Sequence, residues 1–180
     1  IAKRFMPKHK ILKVDKQDLT TNLTEQIYFE VRQEDKFEAL CRVLDFEQDF
    51  YGIVFCRTKS EVDEITNKLK ARNYDAECIH GDITQALRQK ALDLFKKKVL
   101  TILVATDVAA RGIDVSNLTH VINYAIPGEA ESYVHRIGRT GRAGNEGEAI
   151  SLVCVDEHDY LFGIEKLIKQ KIRKIETIGF

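Results

Sequence analysis

The sequence predicts an α/β domain in which a doubly wound, mostly parallel sheet is flanked by helices, three layers in all. Two observations predict it. Short apolar runs alternate with amphipathic stretches from about Ile27 onward, and most of the runs are β-branched or aromatic and nearly continuous in hydrophobicity. Strands hidden on both faces of a parallel sheet have that composition, and regular alternation with helices implies βαβ units with right-handed crossovers.

In chain order, the predicted strands are Gln26–Val31, Gly52–Cys56, Ala76–Ile79, Thr101–Ala105, His120–Tyr124 and Glu148–Val155. The predicted helices are Lys36–Asp45, Ser60–Arg72, Gln85–Lys97, Glu131–Gly138 and a last one from His158 to about Lys171. Ser60 is the expected N-cap of the second helix, with Glu61 and Asp63 in its first turn and Val62, Ile65 and Leu69 on one face. Lys68, Lys70 and Arg72 suit its C-terminal dipole. Thr84 is the expected cap of the third helix, with Leu87, Ala91, Leu94 and Phe95 inward. The run Lys96-Lys-Lys98 reads as a helix-end cation cluster, and Phe29, Tyr51 and Tyr74 read as core. Residues 1–24 fall outside this pattern and read as the tail of an upstream unit plus a connector, leaving 25–180 as the domain.

Composition narrows the function classes. At 180 residues, 44% hydrophobic and 31% charged, the chain suits one globular domain with a sizeable core. Lys plus Arg total 28 and Asp plus Glu total 28, so net charge does not speak for nucleic acid and only local clustering can. No apolar run approaches the roughly 18 residues of a membrane span. The basic, interrupted start lacks the apolar stretch of a secretory signal and lacks an initiator Met, which suggests a trimmed piece of a longer protein. Cys41, Cys56, Cys78 and Cys154 form no C-x-x-C pair, and read as reduced thiols of a cytoplasmic protein.

Ligands of open parallel sheets gather at the carboxyl ends of the strands. That rim collects Arg57-Thr58-Lys59, His80-Gly81-Asp82, Thr106-Asp107, Arg111-Gly112 and the segment after Tyr124. Gly, Thr, Arg and Asp suit phosphate and sugar contacts through bare N–H groups, hydroxyls and guanidinium forks. The densest signal is His135-Arg-Ile-Gly-Arg-Thr-Gly-Arg142, with Arg136, Arg139 and Arg142 spaced three apart across a helix end. The nearest acids in sequence, Glu131 and Glu146, lie outside that run, so a triphosphate or a nucleic-acid backbone is its expected counterion. Ala105-Thr-Asp-Val-Ala-Ala-Arg-Gly-Ile-Asp114 follows an apolar strand, with Thr106 placed for a phosphate and Asp114 for a sugar hydroxyl.

Taken together, residues 25–170 resemble the second RecA-like domain of superfamily 2 helicases, specifically the DEAD-box family. The pieces occur in the family's order. Val54-Phe55-Cys-Arg57-Thr58 is similar to motif IV, and His80-Gly81-Asp82 precedes Gln85-x-x-Arg88. Ala105 to Asp114 is similar to motif V, and His135 to Arg142 to motif VI, where His135 favours the DEAD-box group over its DEAH-type relatives.

The resemblance implies an ATP-dependent RNA helicase. Arg139 and Arg142 would reach the γ-phosphate, with His135 in the same catalytic group. Asp114 would bind the ribose of ATP. His135 and Arg136 would couple the nucleotide site to the other lobe, and Gly112 would lie near nucleotide or RNA backbone. Arg57, Thr58, Gly81, Gln85, Arg88 and Thr106 would hold single-stranded RNA by its backbone, independent of sequence.

No G-x-x-x-x-G-K-[ST] and no Asp-Glu-Ala-Asp occurs in the chain. The resemblance therefore implies that ATP and Mg2+ are bound mainly by an N-terminal lobe, that no residue here ligates a metal, and that this piece alone is inactive. Three alternatives are weaker: a DNA helicase half from another superfamily 2 branch, which His135 disfavours; a non-catalytic RNA- or protein-binding module; and a nucleotide-binding metabolic domain, for which the G-x-G-x-x-G after the first strand is missing.

Overall fold

The computed structural model describes residues 24–115, 117–141 and 146–176. Seven parallel strands form one sheet: β1 (Thr24–Glu30), β2 (Gly52–Phe55), β3 (Ala76–Ile79), β4 (Ile102–Ala105), β5 (His120–Asn123), β6 (Gly147–Val153) and β7 (Arg173–Lys174). Their spatial order is β3-β4-β2-β5-β6-β1-β7. Six helices accompany them: α1 (Lys36–Phe46), α2 (Lys59–Ala71), α3 (Gln85–Lys96), α4 (Asp107–Ala110), α5 (Ala130–Ile137) and α6 (His158–Ile168). The strands and helices predicted from Gln26 onward are all present, with ends shifted by one or two residues, apart from the last helix, which stops three residues early; the tail and connector expected over residues 1–24 lie, but for Thr24, outside the described residues.

Strand side chains alternate between faces, and the parity sorts the core. Ile27, Phe29, Val54, Val104, Ile122, Ile150 and Leu152 join α1 and α2 in one cluster. The neighbouring positions Ile53, Phe55, Leu103, Ala105 and Val121 join α3 and α4 on the other side, where Tyr28, Ala149 and Val153 meet α5 and α6. Strands β2, β4, β5 and β6 are buried along their whole length. That is the physical reason for their nearly continuous hydrophobicity, and the layers make a RecA-like three-layer α/β fold.

Three local expectations are corrected. Thr58, not Ser60, caps α2: its Oγ1 accepts the Glu61 N–H at 3.1 Å, and the Glu61 carboxylate in turn accepts the Arg57 N–H at 2.9 Å. Leu87 does not face inward but is 56% exposed, because only Ala91 and Phe95 of α3 are buried against the sheet. The last helix ends at Ile168, where Lys169 takes a left-handed conformation (φ 60°) and turns the chain back to pair β7 with β1. Thr84 caps α3 through the Leu87 N–H at 3.1 Å, as its sequence position predicts. Phe29 and Tyr51 are core and Tyr74 packs partly buried against it. All four cysteines are free thiols, and burial raises the pKa of each. No helix of the described residues is long and apolar enough to cross a membrane.

Candidate functional site

The carboxyl rim of the sheet holds an open cavity of about 240 Å³ lined by Phe55, Asp107, Ala110, Arg111, Ser132, His135, Arg136 and Arg139. Phe55 ends β2; the others come from α4 and α5 or the residues just past them, helices that follow β4 and β5, the two strands on either side of β2. Sequence reasoning puts five of its residues on this rim, Arg111, His135, Arg136, Arg139 and a fifth whose role it misses.

That fifth residue is Asp107. Arg136 is only 3% exposed, and its guanidinium grips Asp107 as a fork: Nε to Oδ1 at 2.6 Å and Nη2 to Oδ2 at 2.8 Å. Its Nη1 donates to Asn123 Oδ1 (3.0 Å) and to the Ala125 carbonyl (2.7 Å), and the group lies 4.9 Å from the Phe55 ring centroid. A buried guanidinium requires such a paired and saturated setting. The counter-charge for Arg136 thus comes from the end of another strand, not from a bound polyanion. The sequence signal was available, since Asp107 lies in the motif V stretch, but only the fold brings it to the arginine.

Arg139 lines the same cavity. Its Nη1 donates to the Ile113 carbonyl at 2.6 Å and its Nη2 to the Ala110 carbonyl at 2.8 Å. In this conformation it clasps the loop that follows α4. Gly112 sits inside that loop at φ 81°, a left-handed conformation that strains any residue with a β-carbon. His135 is exposed at the cavity wall, whereas Asp114 is exposed beyond the cavity lining. Arg142 lies outside the described residues. Behind α5, Gly147 passes so close to Thr140 that an added β-carbon would fall 1.9 Å from Thr140 Oγ1, so only glycine lets β6 start under this turn.

The residues expected at the RNA backbone fall on the same rim, over β3, β4 and β2. Thr58 and Thr106 are the N-caps of α2 and α4; each Oγ1 accepts a backbone N–H, and Thr58 Oγ1 also shares a hydrogen bond with Ser60 Oγ at 3.3 Å. Gln85 opens α3 and is exposed, and Gly81 is exposed beside Lys59. Arg88 reaches back from α3, with Nη1 donating to the Ala109 carbonyl at 3.0 Å, which ties it to α4. Arg57 donates from Nη2 to the Ile126 carbonyl at 2.6 Å. His80 is buried rather than projected: it accepts the Asp82 N–H at Nδ1 (3.1 Å) and meets Asp63 at Nε2 (2.8 Å).

Two groups of side chains converge in ways that metal ligands do, Asp63/Cys78/His80 and Glu47/His120/Glu148. At His80, Nδ1 accepts an N–H, so Nε2 carries the proton and points it at Asp63; a metal on Nε2 would cost that bond to Asp82. The second group lies at the amino ends of β5 and β6, the opposite end of the sheet from the cavity. Within the cavity itself the one carboxylate, Asp107, is spent on Arg136.

A model of the helicase conserved C-terminal domain matches residues 35–144. The chain belongs to that family, in its DEAD-box branch. It is 48% identical over 177 residues to a DEAD-box ATP-dependent RNA helicase, CshA, of Bacillus licheniformis, covering 98% of this chain and 36% of the relative. It is 47% identical over 176 residues to the CshA helicase of Bacillus subtilis, again covering 98% of this chain and 36% of the relative. The DEAD-box domain thus spans about a third of the curated relatives it matches.

Among solved structures, it is similar to a DEAD box protein from the hyperthermophile Methanococcus jannaschii, with a TM-score of 0.81 and 46% identity over 97% of this chain and 47% of that one. It is also similar to Dbp5 of S. cerevisiae bound to RNA and ADP BeF3, with a TM-score of 0.82 and 30% identity over 98% of this chain and 47% of that one.

Proposed function

We propose that this DEAD-box domain is the C-terminal lobe of an RNA-stimulated ATPase that opens short RNA duplexes. The observation that carries the reading is the cavity, where His135, Arg111 and Arg139 line an open wall at the carboxyl ends of adjacent strands, beside the threonine N-caps of α2 and α4. Positive side chains and bare helix starts are what phosphates bind.

In this reading the cavity takes the γ-phosphate side of ATP. Arg139 releases the Ile113 and Ala110 carbonyls and turns to the phosphate, with Arg142 beside it, to stabilise charge as the phosphoryl group passes to water. Asp114 accepts from the ribose. Arg136 acts from below: locked to Asp107, it holds α5 against the end of β4 and so fixes where His135 and Arg139 stand. Since Asp107 is engaged with Arg136, the cavity has no spare carboxylate for Mg2+, which suits a metal held by an upstream lobe.

The RNA backbone runs over β3, β4 and β2, held by Gly81, Gln85, Arg88, Thr106, Arg57 and Thr58, with no base read. Thr106 and Asp107 are consecutive, so α4 sits between the RNA side and the cavity side. Closure of two lobes on ATP and RNA favours the same state, which couples the ligands. A bent strand cannot stay in an A-form duplex, so closure parts a few base pairs.

The test is ATP turnover by this chain joined to the upstream lobe of a DEAD-box protein, with single-stranded RNA, with DNA and with neither. Turnover raised by RNA and not by DNA, and negligible for the isolated chain, is the expected result. Equal stimulation by DNA would move the assignment to a DNA helicase, and full turnover by the isolated chain would overturn the two-lobe reading.

A further inference from the structure

The proposed RNA contacts lie over β3, β4 and β2; the next strands along the same rim are β5 and β6. Past β5 the chain turns at Pro127-Gly128, and past β6 it enters a short 3-10 turn (Val155–Glu157) and α6. Tyr160, in the first turn of α6, is 43% exposed although its neighbours Leu161 and Ile164 are buried. Its ring lies across the Gly128 backbone: a methyl group at that position would stand 3.5 Å from Tyr160 Cε1. Arg57 lies over the ring, its guanidinium 5.7 Å from the ring centroid.

Arg57 does not swing freely. Besides its bond to the Ile126 carbonyl, its Nη2 is 3.5 Å from Glu157 Oε2, and Glu157 is fixed by the buried ammonium of Lys36 (3.1 Å) and the Cys154 N–H (2.8 Å). Lys36 is 2% exposed, so this anchor is part of the core. An aromatic ring with a cation over it is therefore held at the rim, where the proposed groove passes from β2 toward β6.

We propose that Tyr160 is a stacking platform for one nucleobase of single-stranded RNA, extending the backbone groove by a nucleotide beyond Arg57. The inference rests on the RNA-groove reading above. With Arg57 over one face, the ring offers its other face to any base, and the guanidinium holds the phosphate that leads to it, so the platform adds affinity without adding sequence preference.

The experiment measures RNA affinity of the two-lobe protein and its Tyr160→Ala, Tyr160→Phe and Arg57→Ala variants. One oligouridylate fills only the assigned contacts, and a second extends past Arg57 with 2-aminopurine at the flanking position. Tyr160→Ala is expected to weaken the longer RNA about tenfold, the ordinary size of one base stacked on an aromatic ring. It should leave the shorter RNA unchanged and relieve the 2-aminopurine quenching, and Tyr160→Phe should restore both.

Unchanged affinity for both lengths would overturn the platform and leave Tyr160 as a packing or protein-docking residue. Equal weakening of both lengths would overturn it too, because Tyr160 would then act only by positioning Arg57. Arg57→Ala separates the two readings: it should weaken both lengths, and if it weakens neither, the groove assignment itself fails.

Discussion

Asp107 and Arg136 stand 29 residues apart in sequence and share two hydrogen bonds in the fold. The arginine run was legible from spacing alone, but its counter-charge was not, because residues distant in sequence meet only when β4 and β5 are placed on either side of β2. The same holds for Lys36, whose ammonium is buried against Glu157 from the far end of the chain. Removing one partner of a buried pair leaves an uncompensated charge, at a cost of about 3–5 kcal/mol. Asp107→Ala should therefore lower the unfolding free energy of the isolated domain, measured by urea denaturation, by that order, the carboxylate being only partly exposed. An unfolding free energy within about 0.5 kcal/mol of the parent, the usual size of a surface change, would contradict the strut role given to Arg136. Tyr160 was also invisible to sequence reasoning, since nothing in a lone aromatic of an amphipathic helix says that its ring rests over Gly128.

Elements were read more fully than contacts. Buried parallel strands declare themselves by composition, so the six longer strands were found, and the helices followed from their periodicity and caps. What escaped was short or irregular. Helix α4 has four residues, too few for any periodicity, and is held by its Thr106 cap and by Arg88 from α3. Strand β7 has two residues and exists only because Lys169 reverses the chain beside β1. The cap of α2 was misplaced by two residues because both Thr58 and Ser60 suit the role, and only the backbone decides. Thr58→Ala should cost about 1 kcal/mol of stability, the usual price of an N-cap. Ser60→Ala should cost less than about 0.5 kcal/mol, as for other exposed positions. Thermal denaturation of the two variants distinguishes them, and the reverse order would contradict the observed cap.

At the scale of the whole molecule the two ends of the sheet differ. The carboxyl end gathers the exposed arginines and hydroxyls, while the amino end buries Glu47, His120 and Glu148 together, with His120 Nε2 3.3 Å from Glu47 and 3.0 Å from Glu148. Burial pushes the Glu148 carboxyl up, the hydrogen bond and charge of His120 are among the causes that pull it down, and the net direction is below its usual 4.5. A lowered native value means that the folded state binds fewer protons than the unfolded one. The stabilisation is complete above the usual value and is lost as pH falls through the native one. Urea midpoints measured from neutral to acidic pH should fall below about pH 4.5 less steeply for Glu148→Gln than for the parent; parallel curves would contradict this coupling.

The carboxyl end carries the functional claim, and its motifs were legible because phosphate chemistry needs particular residue types at particular strand ends. Their present engagement was not, since Arg139 is clasped to two carbonyls. The measurement that tests the account most directly is Arg139→Ala in the two-lobe protein, read as RNA-stimulated ATP turnover beside RNA affinity. Turnover should fall by about a thousandfold or more, as when an arginine finger is removed, while RNA affinity stays within a few-fold. Equal loss of both, or turnover that survives the substitution, would contradict the assignment of Arg139 to the phosphate.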